Sequence, residues 1–317
     1  MKKKKRRLKK QVYYVLIGII VFIIAIILII NRIKYVNSYP YKLGKIGYNE
    51  EQIEVILKND NEIIDDILKR KYSKNIVTFM KEKYFIYKNL DRYLAYYKEN
   101  RKLKKSLIVS LVNVGADHEW YDEEMIKETD TSLNELMLVN KFYHLKEDWV
   151  PKDIKEVSSI YAYDENATTD VVMKAFKEMW SKAKDEDLTL IITSSYRDYK
   201  TQDEIWNRYA DSNSEEWADG YAARAGYSEH QTGLALDIVT YNSTMDDFEK
   251  SAEFKWLSKN AYKYGFILRY PKGKENITGY DYESWHYRYV GKDVAKKIND
   301  LGITFDEYYA YYIENKA

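Results

Sequence analysis

The chain has 317 residues and no cysteine, so neither disulfides nor cysteine-ligated metals stabilise any part of it. Lysine and arginine number 51 against 50 aspartates and glutamates, but eight of the basic residues fall in the first ten positions. Beyond these positions the chain has 43 basic and 50 acidic residues, and this excess of acidic residues argues against nucleic acid as a partner.

An apolar run follows the basic cluster. Residues 12–30 carry no charge and are about as long as a helix must be to cross a bilayer. The run exceeds the apolar core of a cleaved signal, and residues 31–34 offer no small-residue cleavage site. Because the basic cluster comes first, we expect a cytoplasmic tail over residues 1–10, a single transmembrane signal anchor over residues 11–31, and export of the remainder beyond the cell membrane.

Residues 32–133 predict a helical extracytoplasmic spacer. Asn49 and Gln52 have the spacing of a capping-type helix start, and apolar residues then recur at helical spacing. Nothing in this region resembles catalytic chemistry, although its many tyrosines leave a binding role open. The polar tract 127–132 marks the predicted boundary.

The remainder, residues 134–317, mixes helix and strand. The pattern predicts a helix capped by Thr168 or Thr169, a buried strand over 188–193 and a helix through 200–209. It further predicts a helix stopped by Gly265, strands over 266–270 and 286–290, and a last helix over 292–301. The elements do not alternate strictly, so we predict an α+β domain with a small antiparallel sheet flanked by helices.

Two short segments carry the chemistry, Ser228–Asp237 (SEHQTGLALD) and Glu283–His286 (ESWH). Together they hold two of the four histidines, an aspartate and a glutamate. Neutral imidazoles and a carboxylate are the ligands of a catalytic zinc ion, which keeps a fourth position for water. We therefore predict a Zn²⁺ site at His230, Asp237 and His286.

The spacing of these residues predicts a sharp turn. His230 and Asp237 are seven residues apart and would lie roughly 23 Å apart in an extended chain, whereas two ligands of one zinc are only a few ångströms apart. Gly233 is the expected pivot, because glycine tolerates backbone angles closed to other residues. Glu283 is better placed as the general base that moves protons than as a ligand.

Three other residues stand outside the two segments. Arg197 follows the predicted buried strand, where it could hold a substrate carboxylate or stabilise a developing oxyanion. His118 and His144 lack comparable neighbours in sequence and are expected to be structural.

These segments resemble the VanY-type zinc D-Ala-D-Ala carboxypeptidases, which are related to the lysostaphin-type and Hedgehog-type zinc folds. The family pattern S-x-H-x-x-G-x-A-x-D stands at residues 228–237 and E-x-W-H at 283–286, and the S-x-R…Q segment stands at 195–202. The resemblance covers roughly residues 134–317. Ser284 departs from the family pattern, since proline is common at this position. Because Ser284 lies between the functional positions, the departure is not expected to disturb the chemistry.

The resemblance implies zinc on the three predicted ligands and an acid/base role for Glu283. It places Arg197, Gln202 and Ser228, and also Tyr270, around the C-terminal end of the substrate. The expected substrates are peptidoglycan stem peptides that end in D-Ala, from which the enzyme would release the terminal D-Ala.

Several alternatives stay open at the level of sequence. An L,D-carboxypeptidase acting on tetrapeptides and an endopeptidase cutting cross-links would use the same residues with a different pocket shape. A non-catalytic wall-binding module is a separate class, which predicts a broken ligand set or a missing glutamate.

Overall fold

The computed structural model describes residues 10–163 and 165–315, which form two compact units. One unit ends at Leu90 and the other begins at Asp91, so the helix Leu90–Glu99 starts at the boundary and is described with the second unit. The predicted basic tail, apart from Lys10, lies outside the described residues.

The first unit is helical. Helix α1 (Lys10–Asn37) contains the predicted span, buries none of its residues, and is the one helix in the described part of the chain long and apolar enough to cross a membrane. Asn49 and Gln52 form the predicted capping box, with reciprocal hydrogen bonds of 2.9 and 3.1 Å. The helices that follow α1 are α2 (Tyr39–Ile46), α3 (Glu50–Ile56), α4 (Asn61–Lys69) and α5 (Lys74–Met80).

The second unit mixes helices with short strands. Its helices are α6 (Leu90–Glu99), α7 (Lys105–Asn113), α8 (Asp170–Lys184), α9 (Tyr199–Ser212), α10 (Glu215–Tyr221), α11 (Ala252–Asn260), α12 (Glu275–Thr278), α13 (Lys292–Leu301) and α14 (Phe305–Tyr309). Its strands are β1 (Lys127–Glu128), β2 (Tyr143–His144), β3 (Ile154–Glu156), β4 (Ala167–Thr169), β5 (Ile191–Ser194), β6 (Ala235–Val239), β7 (Phe266–Leu268) and β8 (His286–Tyr289).

The central sheet has four antiparallel strands in the order β5-β6-β8-β7, which confirms the predicted α+β class with a small antiparallel sheet. Its register matters for the site, because Asp237 on β6 lies opposite His286 on β8. On the other side of β6, Asp237 pairs with Ser194 next to an irregularity in β5. The sheet therefore brings the two predicted segments side by side.

The core of this unit lies between the sheet and α8. Val172, Phe176, Met179 and Ala183 are fully buried at helical spacing and pack against the apolar residues of β5 and β6. Thr169 precedes α8 as its N-cap residue, at one of the two positions expected. The apolar face predicted from periodicity thus anchors the sheet that positions the site.

Residues 91–133 pack with this unit. Ser110 on α7 donates a hydrogen bond of 2.7 Å to Glu307 on α14, and its hydroxyl lies 2.9 Å from that of Tyr311. The compact unit thus begins ahead of residue 134, and a separate spacer ending at residue 133 stays a prediction.

Candidate active site

Three buried side chains converge at the centre of the sheet. His230, Asp237 and His286 each offer a ligand atom, and these atoms all lie within 4.8 Å of one another. Nε2 of His230 is 3.4 Å from Oδ2 of Asp237, and Nδ1 of His286 is 3.1 Å from Oδ1. The structure brings the three predicted metal ligands to one point.

The chain folds back at Gly233, as the spacing predicts. Its φ of 65° lies in the left-handed region, and a Cβ there would come within 2.7 Å of Cδ1 of Ile154 and 3.1 Å of Cγ2 of Thr169. The Gly233 carbonyl accepts hydrogen bonds of 2.8 Å from the Thr168 hydroxyl and 3.3 Å from that of Thr169. Glycine thus serves both the turn and its close packing.

We expect Gly233→Ala to destabilise the protein by about 2–5 kcal/mol. A left-handed alanine contributes roughly 1–2 kcal/mol of this loss, and the clash with Ile154 contributes about 1–3 kcal/mol. Urea unfolding of the detergent-solubilised chain measures it. Gly273→Ala is the matched control, since Gly273 has φ 82° but open space around its Cβ position, so it isolates the backbone part. Equal losses in both variants would contradict a packing role.

The donor set fits a zinc ion. Nδ1 of His230 lies 2.6 Å from the carbonyl oxygen of Ser195, so this nitrogen carries the proton and Nε2 keeps its lone pair toward Asp237. Oδ1 of Asp237 is buried and accepts no hydrogen bond from any described residue. Two histidines and a carboxylate are a set of three protein ligands of the kind that catalytic zinc uses, with water in the fourth tetrahedral position.

Glu283 lies beside the convergent side chains. Its Oε2 is 3.5 Å from Nδ1 of His286, and its backbone N–H donates to the carbonyl of Tyr270. Burial, followed by the negative charge of Asp237, raises the pKa of Glu283 to about 8. A carboxylate with a raised pKa holds a proton more readily, which suits a group that must take one and return it near neutral pH.

Arg197 is held rigidly at the edge of the cavity. Its guanidinium donates 2.6 Å and 3.0 Å hydrogen bonds to Oε1 of Gln202 and Oγ of Ser194, and lies 4.0 Å from Oδ2 of Asp237. Nε2 of Gln202 donates in turn to the carbonyl of Ala223. Both polar atoms of the Gln202 amide are therefore hydrogen-bonded to protein groups, and this amide orients Arg197. A contact between Gln202 and the substrate stays a prediction.

Ser228 and Tyr270 also border the cavity. The Ser228 hydroxyl accepts a 3.3 Å hydrogen bond from the backbone N–H of His230 and caps the turn that carries this histidine. The ring of Tyr270 packs 4.9 Å from that of His286 and 5.0 Å from that of Tyr280. Both residues are buried against the predicted ligands, and their contacts with substrate stay predictions.

All eight residues predicted from the sequence line a single cavity of about 210 Å³. Sequence reasoning did not assign several other residues that line the cavity, among them three tyrosines. These include Tyr209, Tyr221, Met245 and Tyr280. In a chain with 33 tyrosines, no spacing separates those in the cavity from those in the core.

Glu229 is another residue that the sequence motifs left unassigned. Its carboxylate is fully buried and accepts hydrogen bonds of 2.7 Å from Arg269 and 2.9 Å from Arg288. Burial alone would raise the pKa of Glu229, but the two guanidinium charges and the nearby His286 hold it well below its ordinary value. The signal in the sequence was an acid placed directly before a predicted ligand.

The remaining two histidines lie elsewhere. His118 has its Nδ1 3.5 Å from a carboxylate oxygen of Asp122, and the ring of His144 packs 5.5 Å from that of Tyr227. Neither joins a group of potential metal ligands within the part of the chain that the structure describes. This agrees with their expected structural roles.

Comparisons with known proteins identify the family. The sequence model of the family described as D-alanyl-D-alanine carboxypeptidase (VanY) matches residues 165–292. YodJ of Bacillus subtilis (strain 168) is 42% identical over 183 residues, which are 56% of this chain and 67% of YodJ. The bifunctional D-Ala-D-Ala dipeptidase and D-Ala-D-Ala carboxypeptidase VanXYC of Enterococcus gallinarum is 32% identical over 184 residues, 56% of this chain and 95% of VanXYC.

The fold of a solved relative agrees. The structure of the LdcB LD-carboxypeptidase superposes with a TM-score of 0.56 at 39% sequence identity, covering 59% of this chain and 90% of that one. The motifs, the α+β fold and the family match therefore point the same way, and the resemblance deduced from the sequence is confirmed. The chain belongs to the VanY family of D-alanyl-D-alanine carboxypeptidases.

Proposed function

We propose that this protein is a zinc-dependent carboxypeptidase that releases the terminal D-Ala from peptidoglycan stem peptides. One observation carries the proposal: His230, Asp237 and His286 converge in a cavity that also contains Glu283 and Arg197. The family described as D-alanyl-D-alanine carboxypeptidase supports the substrate class. An intact set of ligands together with the glutamate argues against a non-catalytic module.

In this proposal the three ligands hold zinc and Glu283 moves the proton. A zinc ion bound there would supply a Lewis acid that polarises the scissile carbonyl and makes water acidic. Glu283 takes a proton from the attacking water at Oε1 or Oε2 and later gives it to the amine of the departing D-Ala. Its raised pKa supports both halves of this transfer.

Arg197 is proposed to meet negative charge on the substrate. Its side chain is only 19% exposed, and Gln202 and Ser194 fix its orientation, so little reorganisation is needed when an oxyanion or a terminal carboxylate arrives. Gln202 acts through this arginine. Ser228 and Tyr270, on the wall of the same cavity, are proposed to border the C-terminal end of the peptide.

Location is part of the proposal. The exposed apolar helix α1 is compatible with a single membrane anchor, and the basic residues before it favour a cytoplasmic N-terminus. The second unit would then lie outside the membrane, on the side where peptidoglycan and its precursors are found. Labelling of single introduced cysteines in whole cells tests this orientation.

The likeness to the LdcB LD-carboxypeptidase favours one alternative, removal of D-Ala from tetrapeptides. Mass spectrometry of digests of a muramyl pentapeptide, a muramyl tetrapeptide and a cross-linked dimer separates the candidates. Conversion of pentapeptide to tetrapeptide supports the proposal. Conversion of tetrapeptide alone assigns L,D-carboxypeptidase activity, cleavage of the dimer assigns endopeptidase activity, and no cleavage by the zinc-loaded protein overturns the enzymatic proposal.

Zinc binding to the metal-free protein is expected to release at least one proton at pH 7. Burial alone would lower the pKa of His286, but the neighbouring carboxylates of Asp237, Glu229 and Glu283 raise it to about 9. Zinc binds only the deprotonated imidazole, so its affinity should rise with pH until about pH 9 and then level off.

Calorimetry of zinc binding in two buffers with different ionisation enthalpies measures this release. His118→Gln is the control and should release protons as the wild type does, because His118 lies outside the cavity. A binding enthalpy independent of the buffer would contradict the expected protonation of the metal-free site.

A further inference from the structure

Glu229 has no role in the proposed reaction, yet it touches one of the proposed ligands. Its side chain is 0% exposed, and both of its hydrogen-bonding arginines contact Oε1. The second oxygen, Oε2, lies 3.4 Å from Nε2 of His286. Neither of these two atoms has a hydrogen-bond partner among the described residues, although both are buried.

Two buried polar atoms that face each other at this distance are one small ring movement from a hydrogen bond. Leaving a buried acceptor and a buried ring nitrogen unpaired is unfavourable, so pairing between them is favoured. The opposite nitrogen of the same ring, Nδ1, points to Oδ1 of Asp237. His286 therefore has one nitrogen on the metal side and the other on the Glu229 side.

We propose that Glu229 is a positioning residue that accepts the Nε2–H of His286 and thereby leaves the Nδ1 lone pair for the metal. A neutral imidazole has one N–H and one lone pair, so a fixed acceptor on one nitrogen decides which tautomer is present. Such partners of metal ligands orient the ring and strengthen metal binding. The inference rests on the proposed metal site.

The surroundings of Glu229 suit this task. Arg288 lies two residues after His286 on β8, so both side chains project from the same face of the strand. Arg269 follows β7, and its backbone N–H donates 3.1 Å to the carbonyl of His286. The two arginines thus attach the carboxylate to the strand that carries the ligand, and its orientation toward the ring is fixed.

The charge of Glu229 is balanced within the same cluster. Arg269 also donates hydrogen bonds of 2.6 and 3.0 Å to the buried carboxylate of Asp306 on α14. Arg288 further donates to the carbonyls of Glu135 and Met137, at 3.0 and 2.8 Å. Two arginines and two carboxylates make a neutral buried set, so Glu229 stays ionised and acceptor-only.

The two proposed histidine ligands should therefore be opposite tautomers. His230 carries its proton on Nδ1 because that nitrogen faces the Ser195 carbonyl, whereas His286 should carry it on Nε2. Nitrogen-15 correlation spectra of the zinc-loaded full-length protein in detergent distinguish the two forms. An Nδ1–H tautomer at His286 would overturn the proposal without any variant being made.

Glu229→Gln supplies the second test. The amide must turn its NH₂ either toward the arginines or toward Nε2 of His286, so one of the two contacts is lost. We expect zinc affinity of the metal-free protein to fall by about 10–100-fold. Asp306→Asn is the matched control, because it disturbs the same ion cluster without touching His286. It should lower thermal stability and leave zinc affinity unchanged.

The outcomes separate this inference from the proposed function. Zinc affinity is measured by competition with a chromogenic chelator on Glu229→Gln, Asp306→Asn and His286→Ala. If His286→Ala loses zinc affinity while Glu229→Gln keeps the wild-type affinity, the positioning role of Glu229 is contradicted and the proposed metal site is retained. If His286→Ala keeps the wild-type zinc affinity, the proposed metal site is contradicted. Equal losses in Glu229→Gln and Asp306→Asn would mean that the cluster acts only through stability.

Discussion

Replacing Glu283 with glutamine is expected to lower kcat for D-Ala release by about 10²–10⁴-fold while zinc stays bound. The range is what a positioned general acid–base contributes to catalysis. Glutamine keeps the shape of the side chain, but it can neither take a proton from water nor return one to the leaving amine. Because this contribution arises only in the transition state, kcat and kcat/KM should fall together and KM should change little.

The fold should tolerate this change. The pKa of Glu283 is raised by burial, which means that its charged form is disfavoured in the native protein, so a neutral amide at this position removes no stabilising charge. The melting temperature of Glu283→Gln should match the wild type or exceed it. A large loss of stability would show that Glu283 is a structural residue and that any loss of activity is indirect.

The control lies on the same loop. Asp281 is exposed, two residues before Glu283, and outside the cavity that holds the proposed ligands. Asp281→Asn makes the same exchange of an acid for its amide and should keep full activity. Release of D-Ala from a muramyl pentapeptide, with zinc content measured in parallel, decides the matter. Undiminished release by Glu283→Gln would exclude Glu283 as the proton carrier.

The sequence was informative about the site because its chemistry is local. His230, Gly233 and Asp237 lie within eight residues, and a requirement that two of them approach one ion forces the turn that the structure shows at Gly233. Helices α8, α9, α11 and α13 and strands β5, β7 and β8 also agree with the elements predicted from the sequence pattern. The sequence alone could not place Asp237 opposite His286, since strand register depends on contacts between distant segments.

The buried ion cluster is the part that sequence reasoning missed. Glu229, Arg269, Arg288 and Asp306 are spread over almost eighty residues, and charged residues are expected at the surface unless a partner is known. Their pairing is visible only once β7, β8 and α14 are assembled. For the same reason, periodicity could not show that α7 packs on α14 through Ser110.

The two units differ in how much their residues indicate about function. The family match and the proposed metal ligands, together with Glu283 and Arg197, fall within the second unit. The helices α2–α5 of the first unit bury apolar residues at helical spacing, and nothing in them identifies a ligand or partner. A short helical core behind an apolar helix fits a spacer as well as a binding module.

Asp237→Asn is expected to abolish activity by a different route, through loss of the metal. Asparagine retains a neutral carbonyl oxygen, but the negative charge that balances zinc disappears. Burial alone would raise the pKa of Asp237, yet the neighbouring His230 and His286 hold it far below its ordinary value, so the carboxylate is fully ionised at neutral pH. Zinc affinity should fall by more than the roughly 100-fold seen when only a partner of a ligand is lost.

Excess zinc separates the two variants. Asp237→Asn keeps Glu283 and both histidines, so saturating zinc should restore part of its activity, whereas the same addition should not restore Glu283→Gln, whose zinc site is already filled. Metal analysis after dialysis and activity titrated against added zinc provide the two readouts. Stoichiometric zinc and full activity in dialysed Asp237→Asn would remove Asp237 from the ligand set. That result would leave two histidines, too few protein ligands for the usual catalytic zinc site.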